Sequence, residues 1–372
     1  MTSQEKISNK QFGSLVFSFL SGFSTLFLIE AKLIKQDVWM SYLLGITVSI
    51  GMLWLFVYAQ KQYPHLSMAE IFDELLGKWF AKLALCLYLV YMLETGGAAY
   101  RALSFFYTTA ILPNTPNIVL MFLIFLCTAY AVYLGLGTLA RSIQVILPFF
   151  IVAIVIVSFF IVREIDTNPF LPQFQSRASE IVFGGMVTLA FPFGKAIIFG
   201  FILSRVKNVK KIFSSTAIPM ALSGLYLLAV TYMVFGSLGF NLSHAATFPY
   251  FSAAQLVRFG EYMERIEIFV ISIWTVFTLF EIIVIQYIFM LVAGHVFRIK
   301  ETRFFVFPIC LLFFAIAHKS FIRMMDLSLY ILGIYPISSL LPIVIIPVLI
   351  AFLTLVKKPR GAKKSVKINP VG

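Results

Sequence analysis

The stretch "TLAFPFGKAIIF", Thr188 to Phe199, places a proline, a glycine and a lysine inside a long apolar run. Proline has no backbone N–H and clashes with the carbonyl four residues earlier, so a helix carrying it bends or breaks. In a bilayer the backbone groups freed in this way need a partner within the protein, a ligand or trapped water. A lysine at such depth costs roughly 2.5–3.5 kcal/mol on insertion scales, so it calls for a counter-charge or a polar cavity. The run therefore reads as a broken membrane helix, and the rest of the chain tests that reading.

The composition fixes the setting. Of 372 residues, 60% are hydrophobic and 12% charged, and the mean hydropathy is +0.96. A soluble core has no use for that much apolar surface, so an integral membrane protein is expected. The opening MTSQEKISNK is polar and no small-residue cleavage site follows the first apolar run, which argues against a cleavable signal peptide. A membrane crossing takes about 20 apolar residues. With that ruler ten spans are predicted, near 12–31, 38–59, 80–112, 117–135, 139–162, 179–205, 213–237, 265–293, 302–321 and 328–356. The runs are continuous rather than alternating, which excludes a β-barrel. The expected organisation is one transmembrane domain over 1–372, with one half over about 12–162, a second over about 179–356 and a basic tail over 357–372.

Lysine and arginine give the orientation. With the N-terminus inside, the inside segments hold 19 of these residues and the outside segments 8, so both termini are expected to be cytoplasmic. The net charge of +13 is then mainly a topology and lipid-headgroup signal. The tail KKPRGAKKSVK suits an anionic leaflet, and no nucleic-acid partner is expected.

Two local signals accompany the spans. Ser8 to Gln11, SNKQ, has the spacing of a capping box at the start of span one. Phe259 to Phe269, FGEYMERIEIF, has Glu261 and Arg265 four apart and an apolar face, which predicts an interfacial helix.

Span one is interrupted by SGFST, Ser21 to Thr25, as span six is by AFPFG, Ala190 to Gly194. Each is the first helix of a five-span half. Broken helices at corresponding places in two halves point to the binding site of an inverted-repeat transporter. A kinked, well-packed helix accounts equally well for either break alone; the matched pair favours a site.

Four ionisable residues fall at depth: Glu94 and Arg101 in span three, Lys195 in span six and Glu281 in span eight. Spans six and eight start from the same side. Lys195 and Glu281 both lie about 20 Å along their helices at 1.5 Å per residue. An ion pair, or a shared polar cavity, is expected between them. Glu94, Arg101 and Tyr91 share one face of span three; Arg101 either lines the same cavity or reaches the outer headgroups.

Nothing suggests catalysis. Cys86, Cys127 and Cys310 sit in apolar spans without disulfide or metal spacing, and His65, His244, His295 and His318 have no paired ligands. No phosphate loop or nucleophile elbow is present, so no enzyme activity and no cofactor are expected.

The opening KISNKQFGSLVFSFL, the AFPFG of span six, Phe248–Pro249 followed by GEYMERIE, and Trp274 with a polar residue seven later resemble the spore germination permease family. Its members are the B subunits of GerA-type nutrient germinant receptors, within the amino acid–polyamine–organocation superfamily. The resemblance implies an all-α, LeuT-like 5+5 inverted repeat with helices one and six broken. It also implies a nutrient ligand, often an amino acid, at mid-membrane, and partner A and C subunits in the inner membrane of the spore. Carried over position by position, the pocket comprises Gly22, Thr25, Tyr91, Phe191, Pro192, Gly194, Lys195 and Glu281. Ser21, Ser24, Glu94, Arg101 and Trp274 form its surroundings. The family usually has Glu after FPFG and often Lys seven after the span-eight Trp, so Lys195 and Glu281 exchange the two signs. Phe23 is bulkier than the residues usual in the first break, which implies a tighter pocket or a more apolar ligand. The expectation is a germinant sensor. The alternative is a proton-coupled amino-acid transporter using Glu281 or Glu94 as proton carrier, and a degenerate scaffold is the third possibility. Companion A and C genes beside this one would favour the sensor.

Overall fold

The computed structural model describes residues 6–28, 34–257, 266–299 and 301–357. The expected interfacial helix over 259–269 lies largely outside these residues, as does the tail from 358.

Helix α1 (Asn9–Ser21) starts at the predicted capping box. Ser8 Oγ accepts from the Gln11 N–H at 3.2 Å, and Gln11 Oε1 accepts from the Ser8 N–H at 2.8 Å. It stops at Gly22, whose backbone (φ −75°, ψ −106°) is not helical, and α2 (Phe23–Phe27) continues the span. After α3 (Val38–Gln62), α4 (Met68–Leu76) starts on its own capping box, Ser67 with Glu70, and buries one apolar face. Span three is α5 (Lys78–Phe106), prolonged by a π turn over Tyr107–Ile111. Span four is α6 (Asn117–Leu134) and span five α7 (Leu136–Ile161).

Span six is the most irregular. It runs as α8 (Ala178–Thr188), a π turn (Leu189–Phe193) and a 3₁₀ helix (Gly194–Arg205), with Phe191 extended at φ −142°, ψ 121°. A 3₁₀ helix of 12 residues is long for its kind and marks a segment held by its surroundings rather than by its own propensity. The later elements are α9 (Ile212–Ala245), α10 (Pro249–Leu256), α11 (Glu267–Val296) and α12 (Val306–Ser320). The last span combines α13 (Met324–Leu332), α14 (Ile334–Ser338) and α15 (Ile346–Val356).

Among the described residues, nine helices are long and apolar enough to cross a membrane. Span one is the tenth of the sequence reading. It falls short only because Gly22 divides it into pieces of 13 and 5 residues. Burial separates a centre from a rim. In the apolar window of span six 94% of residues are buried, against 11% in span five, so span six forms the axis and span five faces lipid. Helix α1 packs on α7, α9 and α11, and α11 packs on α5.

Long-range ties hold the chain at both faces. On the N-terminal face the Ile7 N–H donates to the Arg205 carbonyl at 2.9 Å, and the Lys207 N–H donates back to the Ile7 carbonyl at 3.0 Å. On the opposite face Asp37, at the start of α3, makes no cap for its own helix. Its carboxylate instead accepts from the backbone N–H groups of Phe174, Gln175 and Ser176 at 2.7–2.8 Å. Phe174 is left-handed (φ 65°), a turn that lets successive N–H groups converge on an anion. Burial opposes the charge on Asp37, but these hydrogen bonds outweigh it and hold the carboxyl below its ordinary range.

Candidate functional site

The first break leaves backbone groups without helical partners, and α11 supplies them. Glu281 Oε2 accepts from the Phe23 N–H at 3.2 Å, and Trp274 Nε1–H donates to the Phe23 carbonyl at 3.4 Å. Residues 274 and 281 are two turns apart on one face of α11, so a single helix face holds both sides of the Phe23 residue. Gly22 makes the approach possible. A Cβ there would stand 3.0 Å from Glu281 Oε2 and from the carbonyl carbon and oxygen of Phe277. The neighbouring hydroxyls also serve the backbone. Thr25 Oγ1 lies at 3.1 and 3.0 Å from the Ser21 and Gly22 carbonyls, and Ser24 Oγ donates to the Leu20 carbonyl at 3.2 Å. Ser21 Oγ and Thr278 Oγ1 are buried here with no hydrogen-bond partner among the described residues.

The second break is closed from within. The Gly194 N–H donates to the Leu189 carbonyl across the π turn. A Cβ on Gly194 would fall 2.1 Å from that carbonyl oxygen and 2.6 Å from Ile343 Cδ1, so only glycine fits. Pro192 and Phe191 place the extended bend, and Lys195 then points at α11.

Lys195 Nζ lies 2.7 Å from Glu281 Oε1, with both side chains fully buried. Three phenyl rings surround the ammonium: Phe191 at 5.0 Å, Phe19 at 5.3 Å and Phe23 at 6.0 Å to their centroids. Phe23 and Phe191, one from each break, meet edge to face at 5.0 Å. An ammonium against ring faces adds a cation–π attraction of about 2 kcal/mol or more when desolvated. One carboxylate thus binds both breaks: one oxygen takes the Phe23 N–H, the other the Lys195 ammonium. The sequence suggested Lys195, Glu281, Gly22, Gly194 and Trp274. It did not suggest Phe19 or Phe277, although the four-residue spacing of Phe19 and Phe23 puts both on one face of span one.

The span-three residues divide. The Tyr91 ring stacks on Tyr335 at 6.1 Å, and the Tyr335 hydroxyl lies 3.3 Å from that of Tyr91 and 2.9 Å from Thr95 Oγ1. Glu94 is half-buried. Arg101 is drawn away from both. Its guanidinium donates to Asn117 Oδ1 and, at 2.8 Å, to the Phe321 carbonyl, and it covers the Phe105 ring at 4.3 Å. It closes the ends of spans three, four and nine and does not meet Lys195 or Glu281. Among the described residues no cluster of His, Cys, Asp or Glu is placed to hold a metal ion.

The helical membrane bundle with its first and sixth spans broken has solved counterparts in fold. A Na⁺-coupled sialic acid symporter in a substrate-bound, outward-open state superposes with TM-score 0.63 at 14% identity, covering 92% of this chain and 82% of that one. MhsT in complex with L-phenylalanine gives 0.62 at 12% identity over 94% and 99%. Both are LeuT-like, and at these identities the likeness is one of fold. The chain belongs to the spore permease family, described as "Spore germination protein", whose profile matches residues 6–321. Among its relatives, spore germination protein KB of Bacillus subtilis (strain 168) is 23% identical over 306 residues, 82% of each chain. Spore germination protein YndE of the same organism is 21% identical over 267 residues, 72% of this chain and 73% of the relative.

Proposed function

We propose that this germination-family permease is the nutrient-sensing membrane subunit of a spore germinant receptor. It binds a small ligand, an amino acid in the first instance, between the two breaks and signals to A and C partner subunits. It sits in the inner membrane of the spore with both termini cytoplasmic. The observation that carries the reading is the double use of Glu281, which satisfies the first break and the cation of the second at once.

Such a site is a switch in waiting. With Glu281 in place, the protein is its own ligand: a carboxylate occupies the Phe23 N–H and an ammonium completes the pair. A ligand offering its own acceptor to Phe23 competes with Glu281 and favours a state in which α11 and the first break separate. It shifts the equilibrium only by its difference in affinity between the two states. Gly22, Thr25, Phe191, Pro192 and Gly194 shape the opening, Ser21 and Ser24 line its first-break side, and Tyr91 and Glu94 lie toward spans three and ten.

The test is nutrient-triggered germination of spores carrying Lys195→Glu, Glu281→Lys or both. Each single change is expected to abolish the response. The double change restores the pair, but an ammonium at position 281 cannot accept the Phe23 N–H, so recovery should be partial. A double change as inactive as the singles, with protein still accumulating, removes the pair from the working site. Normal germination in all three strains overturns the reading. Proton-coupled amino-acid transport remains the alternative use of the same fold. Half-buried Glu94, which has no ion-pair partner among the described residues, favours keeping it in view. Uptake of labelled amino acid by proteoliposomes, abolished by Glu94→Gln, would establish it.

A further inference from the structure

A groove of about 470 Å³ opens between α1, α7 and α9, apart from the ion-pair site. Its polarity is graded by depth. Asn9, Lys10, Lys211 and Ser215 line the end at the N-terminal face, whereas Phe17, Leu147, Ile151, Ile218 and Leu222 line the far end. The helix registers enforce this. Phe17 comes seven residues after Lys10 and Leu222 eleven after Lys211, which is roughly 10 and 16 Å deeper at 1.5 Å per residue. Gly13 leaves the middle open, since it has no side chain to fill it; a Cβ there would meet Pro219 Cγ at 3.1 Å.

Lys10 and Lys211 are exposed at the mouth; among the described residues neither is in an ion pair and no acidic side chain lines the groove. Two cations at the membrane surface above an apolar shaft match one chemistry, an anionic headgroup on an acyl chain. The deep end touches the working part of the molecule. The Phe17 ring lies 6.3 Å from Phe277 and 6.4 Å from Tyr226, and the Phe277 carbonyl is the group against which Gly22 is packed.

We propose that this groove is a binding site for an anionic phospholipid, its phosphate between Lys10 and Lys211 and one acyl chain along Phe17, Ile151 and Leu222. A chain seated there braces α1 against α7 and α9, so occupancy favours the arrangement in which the first break is closed on α11. The groove stands independently of the germinant reading.

The experiment uses the full chain in nanodiscs of phosphatidylcholine doped with phosphatidylglycerol. Ile151→Trp places a reporter beside the acyl path, and lipids brominated in the chain quench it on contact; the four native tryptophans are subtracted with the unmodified protein. Brominated phosphatidylglycerol should quench selectively over brominated phosphatidylcholine. Preference should fall about five-fold with Lys10→Gln or Lys211→Gln and about twenty-five-fold with both, since each surface cation near an anionic lipid contributes roughly a factor of five. Equal quenching by the two lipids, or a preference untouched by the lysine changes, overturns the proposal. Competition by chain-free glycerol phosphate to the same extent as by the lipid also overturns it, because the site would then read the oxyanion alone. Should the tryptophan variant fail to accumulate, native mass spectrometry decides on the unmodified protein. Phosphatidylglycerol retained there and lost in Lys10→Gln/Lys211→Gln supports the site, and equal retention by both proteins overturns it.

Discussion

The two broken helices solve one problem by different means. The break in span six is closed locally: the π turn returns the Gly194 N–H to the Leu189 carbonyl, and the space there admits no side chain. The break in span one is closed by a different helix, through Glu281 and Trp274 of α11 on either side of Phe23. A locally closed break is a fixed feature of its own span. A break closed from elsewhere opens when that other helix moves, which makes span one the movable half of the site and span six its anchor.

The largest effect expected is from splitting the ion pair. Lys195→Met alone should destabilise the protein by about 3–5 kcal/mol, because Glu281 stays charged and buried without its counter-ion. Adding Glu281→Leu removes the stranded carboxylate but also the acceptor of the Phe23 N–H, so it should return only part of that loss; thermal unfolding of the purified protein checks both. If the double variant is less stable than the single, the lone Glu281 is not the source of the loss and the prediction fails.

Glycine substitutions compare the breaks directly. Gly194→Ala should cost up to about 3 kcal/mol, since its Cβ meets backbone that is not free to yield. Gly22→Ala, with contacts at 3.0 Å, should cost less in stability yet weaken the contact of Glu281 with Phe23. Equal losses in unfolding temperature would erase the distinction between a rigid and a movable break.

Asp37→Asn tests a clamp remote from both breaks. It removes the charge from three hydrogen bonds to the 174–176 turn, for a loss of about 1–3 kcal/mol. The Asp37 pKa is depressed in the folded protein from its ordinary 3.8. Its contribution is therefore complete above 3.8 and disappears as pH falls through the lowered folded value. An acid titration of stability should lose this component in the Asn variant; unchanged acid sensitivity would show that the clamp is not charge-dependent.

The smallest change is Trp274→Phe. It keeps an aromatic ring against Phe106 but removes the donor to the Phe23 carbonyl, worth about 1 kcal/mol. Faster amide exchange around Phe23 with span six unaffected is the expected result; equal acceleration in both breaks would count against separate closure.

Much of this was legible in the residues. The capping box at Ser8, the interruption at SGFST and the proline and glycine of AFPFG are local signals, and each became the element its chemistry required. The depth argument placed Lys195 beside Glu281 because two spans starting from the same side carry residue count into height, even though span six is broken before it reaches Lys195. The same argument was less useful for span three. Tyr91, Glu94 and Arg101 share a helix face, yet Arg101 goes to Asn117 and the Phe321 carbonyl while Tyr91 goes to Tyr335. A face says where a side chain starts; a seven-residue rise is long enough for its two ends to meet different neighbours. Asp37 shows the same limit at a helix start. Its position reads as an ordinary cap, but its carboxylate serves a turn more than a hundred residues away.

The sequence by itself determined the membrane class, the spans, the places where helices must break and which ionisable groups needed partners. These follow from hydrophobicity, backbone chemistry and the cost of buried charge, all properties of short stretches. Only the tertiary structure decided which helix closes each break, and that Glu281 serves both Phe23 and Lys195. It also decided that three spans leave a lysine-capped groove. Each of those facts is a distance between residues far apart in the chain, and such distances are set by the packing of whole helices rather than by any segment's own preference.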